Sequence, residues 1–283
     1  MLLRTLLTTL ALLSAGAASA GDGKKTTSAP ARPAAPALER VVILGASASA
    51  GVSFLEGSKP IAPYLEAMTA AAPGTYTNLA SELFFMAPEE RGESQVQQAA
   101  ASKPTLVVAV DFLFWFGYGR LADDAARAAM LDKGLKLLEK IDAPVVISDL
   151  PDMSAAIGKM LTKSQVPSKE CLATLNQKIR SWSAGKKNVV RVDLPGFVDS
   201  LRANRAVSLR GNEWPAGSTA KLLLADQLHP TEEGTAALAA LALDAAAKAF
   251  TKELPPSAVR WNVKEAVSAV AAHEAAASKP ASK

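Results

Sequence analysis

Two short stretches hold residue types that could do chemistry together. The first is Gly45-Ala46-Ser47, directly behind the apolar run Val41-Val42-Ile43-Leu44. Such a run of branched residues reads as a strand buried on both faces, the kind found in a parallel sheet. Gly45 lets the chain turn sharply, and the small residues after it can open a helix. Ser47 is then held at the carboxyl end of a first central strand, where open α/β sheets place their ligands. Read alone, the stretch is equally a tight turn of small residues. The second stretch is Asp226-Gln227-Leu228-His229-Pro230-Thr231. Of the chain's two histidines, His273 lies in an Ala/Ser/Lys tail, which leaves His229. Thr231 can cap a following helix, and Pro230 keeps the chain from turning helical too early. Asp226 can reach the imidazole, fix its tautomer and stabilise the imidazolium when the other nitrogen takes a proton. A lone His before a helix is, by itself, more often structural.

The elements that must position these residues follow from the hydrophobic pattern. Leu106–Val110, Pro144–Ser148 and Val189–Asp193 read as further strands, and Thr75–Leu79 is strand-like. Helices are predicted near Pro63–Ala71, from Gln95 to Ser102 and over Leu121–Lys140, Lys169–Ser183 and Thr231–Phe250. Alternating strands and helices call for a parallel sheet covered on both faces. The predicted fold is therefore α/β, a single domain of three α/β/α layers. No repeat and no second strand–helix series is visible.

Residues 1–20 combine one early Arg, an apolar centre and Ala-Ser-Ala before Gly21, the pattern of a secretory signal peptide. Its apolar core, Leu6 to Leu13, is too short to span a bilayer, and no lipid-bearing cysteine follows. The expectation is an exported protein, periplasmic or secreted, with no stable membrane anchor after cleavage. Residues 21–38, rich in Ala, Pro, Ser, Thr and Lys, read as a flexible linker. The folded domain is then 39–254, and 255–283 is expected to be a partly disordered tail.

The net charge is +4, yet residues 41–258 hold 22 Lys+Arg against 23 Asp+Glu, a balance of −1. The basic excess sits in the flanks, so a nucleic-acid partner is not expected. Cys171 is the single cysteine, so no internal disulfide can form, and a buried structural thiol is expected. With one usable His and one Cys there is no transition-metal ligand set. Gly45 to Gly51 lacks the middle glycine of a dinucleotide fingerprint and the Lys-Ser/Thr of a phosphate loop. No metal and no cofactor is expected.

Together the two stretches resemble the SGNH (GDSL-type) hydrolases. In that family a serine follows a glycine by two positions just after the first strand, as Ser47 follows Gly45. Its Asp and His are spaced DxxH near the carboxyl end, often followed by Pro and then Gly; Asp226, His229, Pro230 and Gly234 match. The resemblance covers about residues 40–250 and implies a flavodoxin-like sheet. It also implies that Ser47 is the nucleophile, His229 the general base and Asp226 its orienter. Ser49 lies in the same block, but the spacing favours Ser47. The family's glycine after the second strand corresponds to Gly92. Its GxN after the next strand corresponds to Ala109-Val110-Asp111. The backbone N–H groups of Ser47 and Gly92 would then donate to the oxyanion, with Asp111 at the place of the donor Asn. Asn offers an N–H to a developing negative charge, whereas an ionised Asp offers only acceptors. The family's GDS also reads Gly45-Ala46-Ser47 here, without its Asp.

Five of the chain's fifteen aromatics fall between Phe112 and Tyr118. They read either as a pocket wall at the ligand edge of the sheet or as buried packing. Phe112 and Trp115, with Trp214 from the loop before the His block, are the candidate substrate contacts. The expected reaction is cleavage of an ester, either a small-molecule ester or an O-acyl group on an envelope carbohydrate. The rival is a non-catalytic envelope-binding or accessory protein that keeps the fold with a degenerate site.

Overall fold

Val41–Ile43, Leu106–Ala109 and Val145–Ser148 are buried at every residue, as strands covered on both faces must be. The computed structural model describes residues 35–278 except 70, 71 and 73. In chain order the elements are β1 (Val41–Ile43), α1 (Ser47–Ala50), α2 (Ala62–Thr69), β2 (Tyr76–Asn78), α3 (Pro88–Ala101) and β3 (Leu106–Ala109). Then come α4 (Phe114–Gly117), α5 (Asp124–Leu138), β4 (Val145–Ser148), α6 (Lys169–Ala184), β5 (Val189–Val192) and α7 (Leu194–Arg202). A hairpin of β6 (Val207–Leu209) and β7 (Asn212–Trp214) leads to α8 (Thr219–Leu222), α9 (Glu232–Ala249) and α10 (Val263–Ala277).

Strands β1–β5 pair in parallel in the order β2-β1-β3-β4-β5. The chain leaves β1 toward one edge, then returns to the other side of β1 through β3. That reversal opens a crevice at the carboxyl ends of β1 and β3, where ligands of such sheets bind. Ser47 follows β1 and Asp111 follows β3, so both stand at the crevice.

Alternate strand residues feed two cores. Val41, Ile43, Val108 and Val146 pack with α2, α9 and α10 on one face. Val42, Leu44, Val107 and Ile147 pack with α3–α6 on the other. This is the three-layer α/β/α arrangement read from the pattern. The alanines of α9 bring that helix close to the sheet; Ala236, Ala239 and Ala240 are fully buried.

Three boundaries differ from expectation. The segment from 255 is not a loose tail: α10 packs on α2 and α9. Val263, Ala266 and Val270 are buried along one stripe, and Asn212 accepts the Val263 N–H at 2.8 Å. The Ala/Ser/Lys composition concealed a helix whose apolar stripe is made mostly of small residues. The linker also ends earlier than residue 38. Pro36–Leu38 form a 3-10 turn, Ala37 is buried, and its N–H donates to the Glu253 carbonyl at 3.0 Å. The rest of the expected linker, and the expected signal peptide, lie outside the described residues.

The third difference concerns α3. The helix starts at Pro88, not Gln95, with Pro at its first position and Glu89 and Glu90 in its first turn, a favourable opening. Gly92 is therefore inside a helix and not in the turn after β2. A Cβ there would meet Phe116 at 3.0 Å and Phe112 and Leu137 at 3.2 Å. This glycine permits close packing of α3 on the aromatic cluster.

Candidate active site

The acid–base loop is built mostly from its own residues. Asp226 Oδ1 accepts the backbone N–H groups of Leu228 (2.9 Å) and His229 (3.0 Å), which closes the loop on itself. The chain passes through Gln227 in the left-handed region, at φ +61°. Leu224 donates its N–H to the His229 carbonyl at 2.9 Å. Thr231 caps α9 by accepting from the Gly234 N–H at 3.0 Å. Gly234 is required by contact: a Cβ would stand 1.9 Å from the Leu222 carbonyl oxygen.

That fold of the loop leaves Asp226 Oδ2 free to meet His229 Nδ1 at 2.7 Å. The opposite ring nitrogen, Nε2, lies 2.9 Å from Ser47 Oγ. Three side chains separated by up to 182 positions thus form one hydrogen-bonded chain. His229 is buried, and Asp226 and Ser47 are half-buried. Burial works to raise the Asp226 carboxyl, but the His229 ring and the N–H groups of His229 and Leu228 outweigh it. The group is held below the ordinary carboxylate range.

The nucleophile turn is held from a distance. Gln95 on α3 accepts the Gly45 N–H at 2.8 Å and donates its own amide to the Gly45 carbonyl at 3.0 Å. From the end of β3, Asp111 accepts the N–H groups of Ala46 and Ser49, both at 3.1 Å, and the Ser49 hydroxyl at 2.6 Å. Asn78 on β2 donates to the Ser49 carbonyl at 3.1 Å. A Cβ on Gly45 would sit 1.9 Å from Asp111 Oδ1, so only glycine admits this carboxylate beneath the turn. Burial raises the Asp111 carboxyl above its ordinary value, and the hydrogen bonds it accepts offset this in part.

These contacts correct two expected roles. Asp111 is turned onto the nucleophile turn as an acceptor and buttress; it presents no donor to an oxyanion. Gly92 packs against Phe112 and Phe116 and supplies no oxyanion N–H. Of the three expected donors, only Ser47 keeps its N–H at the site. That N–H opens the one-turn helix α1, so no preceding turn supplies its acceptor.

The aromatic candidates separate as well. Trp115 lines the crevice together with Ser47 and His229, and its indole N–H is buried without a hydrogen-bond partner. Phe114, not singled out from the sequence, lines the same cavity and stacks on Tyr118 with ring centres 4.1 Å apart. Phe112 is fully buried against Phe84 and Phe116 and belongs to the core. Trp214 is buried on β7, where its indole donates to Glu233 at 2.8 Å and its ring meets the edge of Phe197. It borders a different cavity from the one at Ser47. Cys171 is buried, and burial pushes its thiol up to about 11, as a structural cysteine should be.

Gln95 and Arg202 carry positioning roles that sequence reading missed. Gln95 was detectable as the one polar residue in the buried stripe Gly92, Gln95, Val96, Ala99 of α3. Arg202, in the last turn of α7, donates to the Gln227 carbonyl at 3.0 Å and so steadies the His loop. No pattern in the sequence marks it. Among the described residues no cluster of His, Cys, Asp and Glu could hold a metal ion.

No protein-family model matches the chain, and no curated protein sequence matches it. Its fold is similar to solved structures. One is the lipase/acylhydrolase from Enterococcus faecalis, with a TM-score of 0.50 and 18% identity over 71% of this chain and 92% of that one. Another is a gut microbial diltiazem-metabolizing enzyme, with a TM-score of 0.43 and 14% identity over 77% of this chain and 48% of that one. The first likeness shows the three-layer α/β/α fold.

Proposed function

We propose that this protein is an exported serine hydrolase that cleaves esters at Ser47. The observation that carries the reading is the unbroken chain Ser47 Oγ–His229 Nε2–His229 Nδ1–Asp226 Oδ2, with links of 2.9 and 2.7 Å. A serine hydroxyl is a weak nucleophile at neutral pH and needs a base within hydrogen-bond reach. His229 takes the Ser47 proton as Oγ attacks the acyl carbon, and Asp226 stabilises the imidazolium that results. The proton then passes to the leaving alcohol. Water, deprotonated by the same imidazole, releases the acid and restores Ser47. The Ser47 N–H, at the start of α1, donates to the oxyanion in this reading. The acyl-hydrolase name of the Enterococcus neighbour agrees with this chemistry.

One observation favours the other reading, a binding or accessory protein. With Asp111 an acceptor and Gly92 remote, the oxyanion site has fewer donors than expected. Labelling with a fluorophosphonate decides between the two. The purified protein is treated between pH 5 and 9 and the adduct is mapped by mass spectrometry. An adduct on Ser47, absent in Ser47→Ala and in His229→Ala, is the expected result. No adduct at any pH leaves the binding protein.

A further inference from the structure

Two cavities of different character meet at Ser47. The inner one, about 50 Å³, reaches back between the nucleophile turn and the ends of β3 and β4. Every residue of its wall is buried or half-buried, with Phe114, Leu150, Met153 and Leu194 providing apolar surface. The outer one, about 310 Å³, opens in front of the same serine. Phe54, Leu83, Phe85 and Met160 on its wall are 73%, 45%, 48% and 38% exposed. Met86, beside Phe85, is 65% exposed. Ser47, Trp115, Leu228 and His229 belong to both cavities. Large apolar side chains gathered on an otherwise polar surface mark an interaction site. Here they surround the mouth of the candidate active site.

Resting on the hydrolase reading, we propose that the substrate is an ester with two unequal sides: a short acyl group and a bulky apolar alcohol. The outer cavity has about six times the volume of the inner one, 310 against 50 Å³. The inner cavity suits a small acyl group of acetyl to butyryl size, and the outer one takes the larger side.

The order of events assigns the two sides. Attack of Ser47 Oγ forms a bond to the acyl carbon and passes the hydroxyl proton to His229 Nε2. The bond from the acyl carbon to the alcohol oxygen then breaks, that oxygen takes the proton from His229, and the alcohol departs first. The acyl group remains on Ser47 until water attacks. The side that leaves first needs a route to solvent, which the outer cavity provides. The side that stays can occupy the buried cavity. The outer wall also argues against a carbohydrate alcohol. Sugars need hydrogen-bonding walls, whereas Phe54, Leu83, Phe85 and Met160 offer none. Of the polar side chains on that wall outside the Ser47–His229 pair, Glu82 is engaged by the Ser53 N–H and hydroxyl, and Gln165 Oε1 by the Thr162 N–H and hydroxyl.

The test varies the two sides separately. With p-nitrophenol as constant leaving group, kcat/KM should fall at least tenfold from butyrate to octanoate. With acetate as constant acyl group, it should rise at least tenfold from ethyl to octyl acetate, whose alcohols leave with equal ease. Phe54→Ser and Phe85→Ser each remove exposed apolar surface from the outer wall, Phe85 also meeting the Trp115 ring at 5.6 Å, and unfolding midpoints check that each variant folds. Each should reduce the octyl-to-ethyl ratio at least threefold. Octanoate turned over as well as butyrate, octyl acetate no better than ethyl acetate, or an acetylated sugar preferred to octyl acetate would each overturn the inference. Those outcomes leave Ser47 labelled and the hydrolase reading intact. No turnover of any ester together with no label on Ser47 overturns the hydrolase reading and this inference with it.

Discussion

The two halves of the candidate active site are held by opposite means. The acid–base loop is tied by contacts between residues two or three positions apart: Asp226 accepts from Leu228 and His229 and orients the ring with its second oxygen. Its long-range supports are Arg202 on the Gln227 carbonyl and Lys159 on the Ala225 carbonyl at 2.8 Å. The nucleophile turn owes its shape to side chains 50 and 65 positions away, Gln95 and Asp111, both buried. Buried polar clamps are stiff because leaving any of their groups unpaired is costly. The candidate site therefore pairs a locally encoded Asp226–His229 loop with a Ser47 whose position depends on the assembled sheet.

If that contrast is right, damage to each half should look different. The largest effect should come from the base loop. Asp226→Asn keeps an oxygen for the Leu228 and His229 N–H groups, so the loop survives. Its amide, however, then faces the ring and imposes the wrong tautomer. The expected loss in kcat is about 10³–10⁴-fold with the unfolding midpoint little changed. A loss under tenfold would mean that Asp226 only shapes the loop.

Gln95→Leu should reverse that pattern. It leaves the buried Gly45 N–H without its acceptor, while the Gly45 carbonyl keeps the Ser81 N–H at 3.1 Å, and it should cost about 1–3 kcal/mol of stability in urea unfolding. Activity should fall by a smaller factor than in Asp226→Asn, because the chemical groups all remain. Unchanged stability would remove Gln95 from its role as the clamp.

Asp111→Asn should be mildest at neutral pH. An Asn can accept the Ala46 and Ser49 N–H groups and donate to the Ser49 hydroxyl, so kcat/KM should change less than about threefold. An Asn placed as a new oxyanion donor would instead raise turnover by about 100-fold or more. The pH dependence carries its own sign. Burial holds the Asp111 carboxyl above its ordinary value. Its contribution to stability is then complete below about pH 3.9 and is lost as pH rises through the raised value. The stability of the wild type relative to Asp111→Asn should therefore decline from pH 4 toward neutrality. Urea midpoints at several pH values measure this; a relative stability that climbs over the same range would mean that hydrogen bonding outweighs burial at this carboxylate.

The same division between near and far explains what was legible beforehand. Ser47, Asp226 and His229 were recognisable because each sits in a short block with its own turn or cap. The central strands were recognisable because burial on both faces leaves an unbroken apolar run in the sequence. Gly92 was misplaced because a glycine in a polar stretch reads as a turn, while its use here is to let α3 approach Phe112 and Phe116. Trp214 read as a loop aromatic because nothing nearby announces Phe197 or Glu233 as its partners. The helix α10 was hidden by a composition that fits a loose tail as well as a helix needing only a narrow buried stripe.

Strand and helix periodicity, the Gly45 turn and the Asp226–His229 spacing are properties of neighbouring residues, so the sequence by itself determined the α/β class and which three side chains form the hydrogen-bonded chain of the candidate site. Which way Asp111 points, which residue clamps Gly45 and which aromatics reach the crevice depend on the order β2-β1-β3-β4-β5 and on how α3 and α4 settle against it. A side chain's hydrogen-bond partners are chosen by what burial places beside it. For Asp111 that was the N–H groups of Ala46 and Ser49, brought within reach only when β1 and β3 lie side by side.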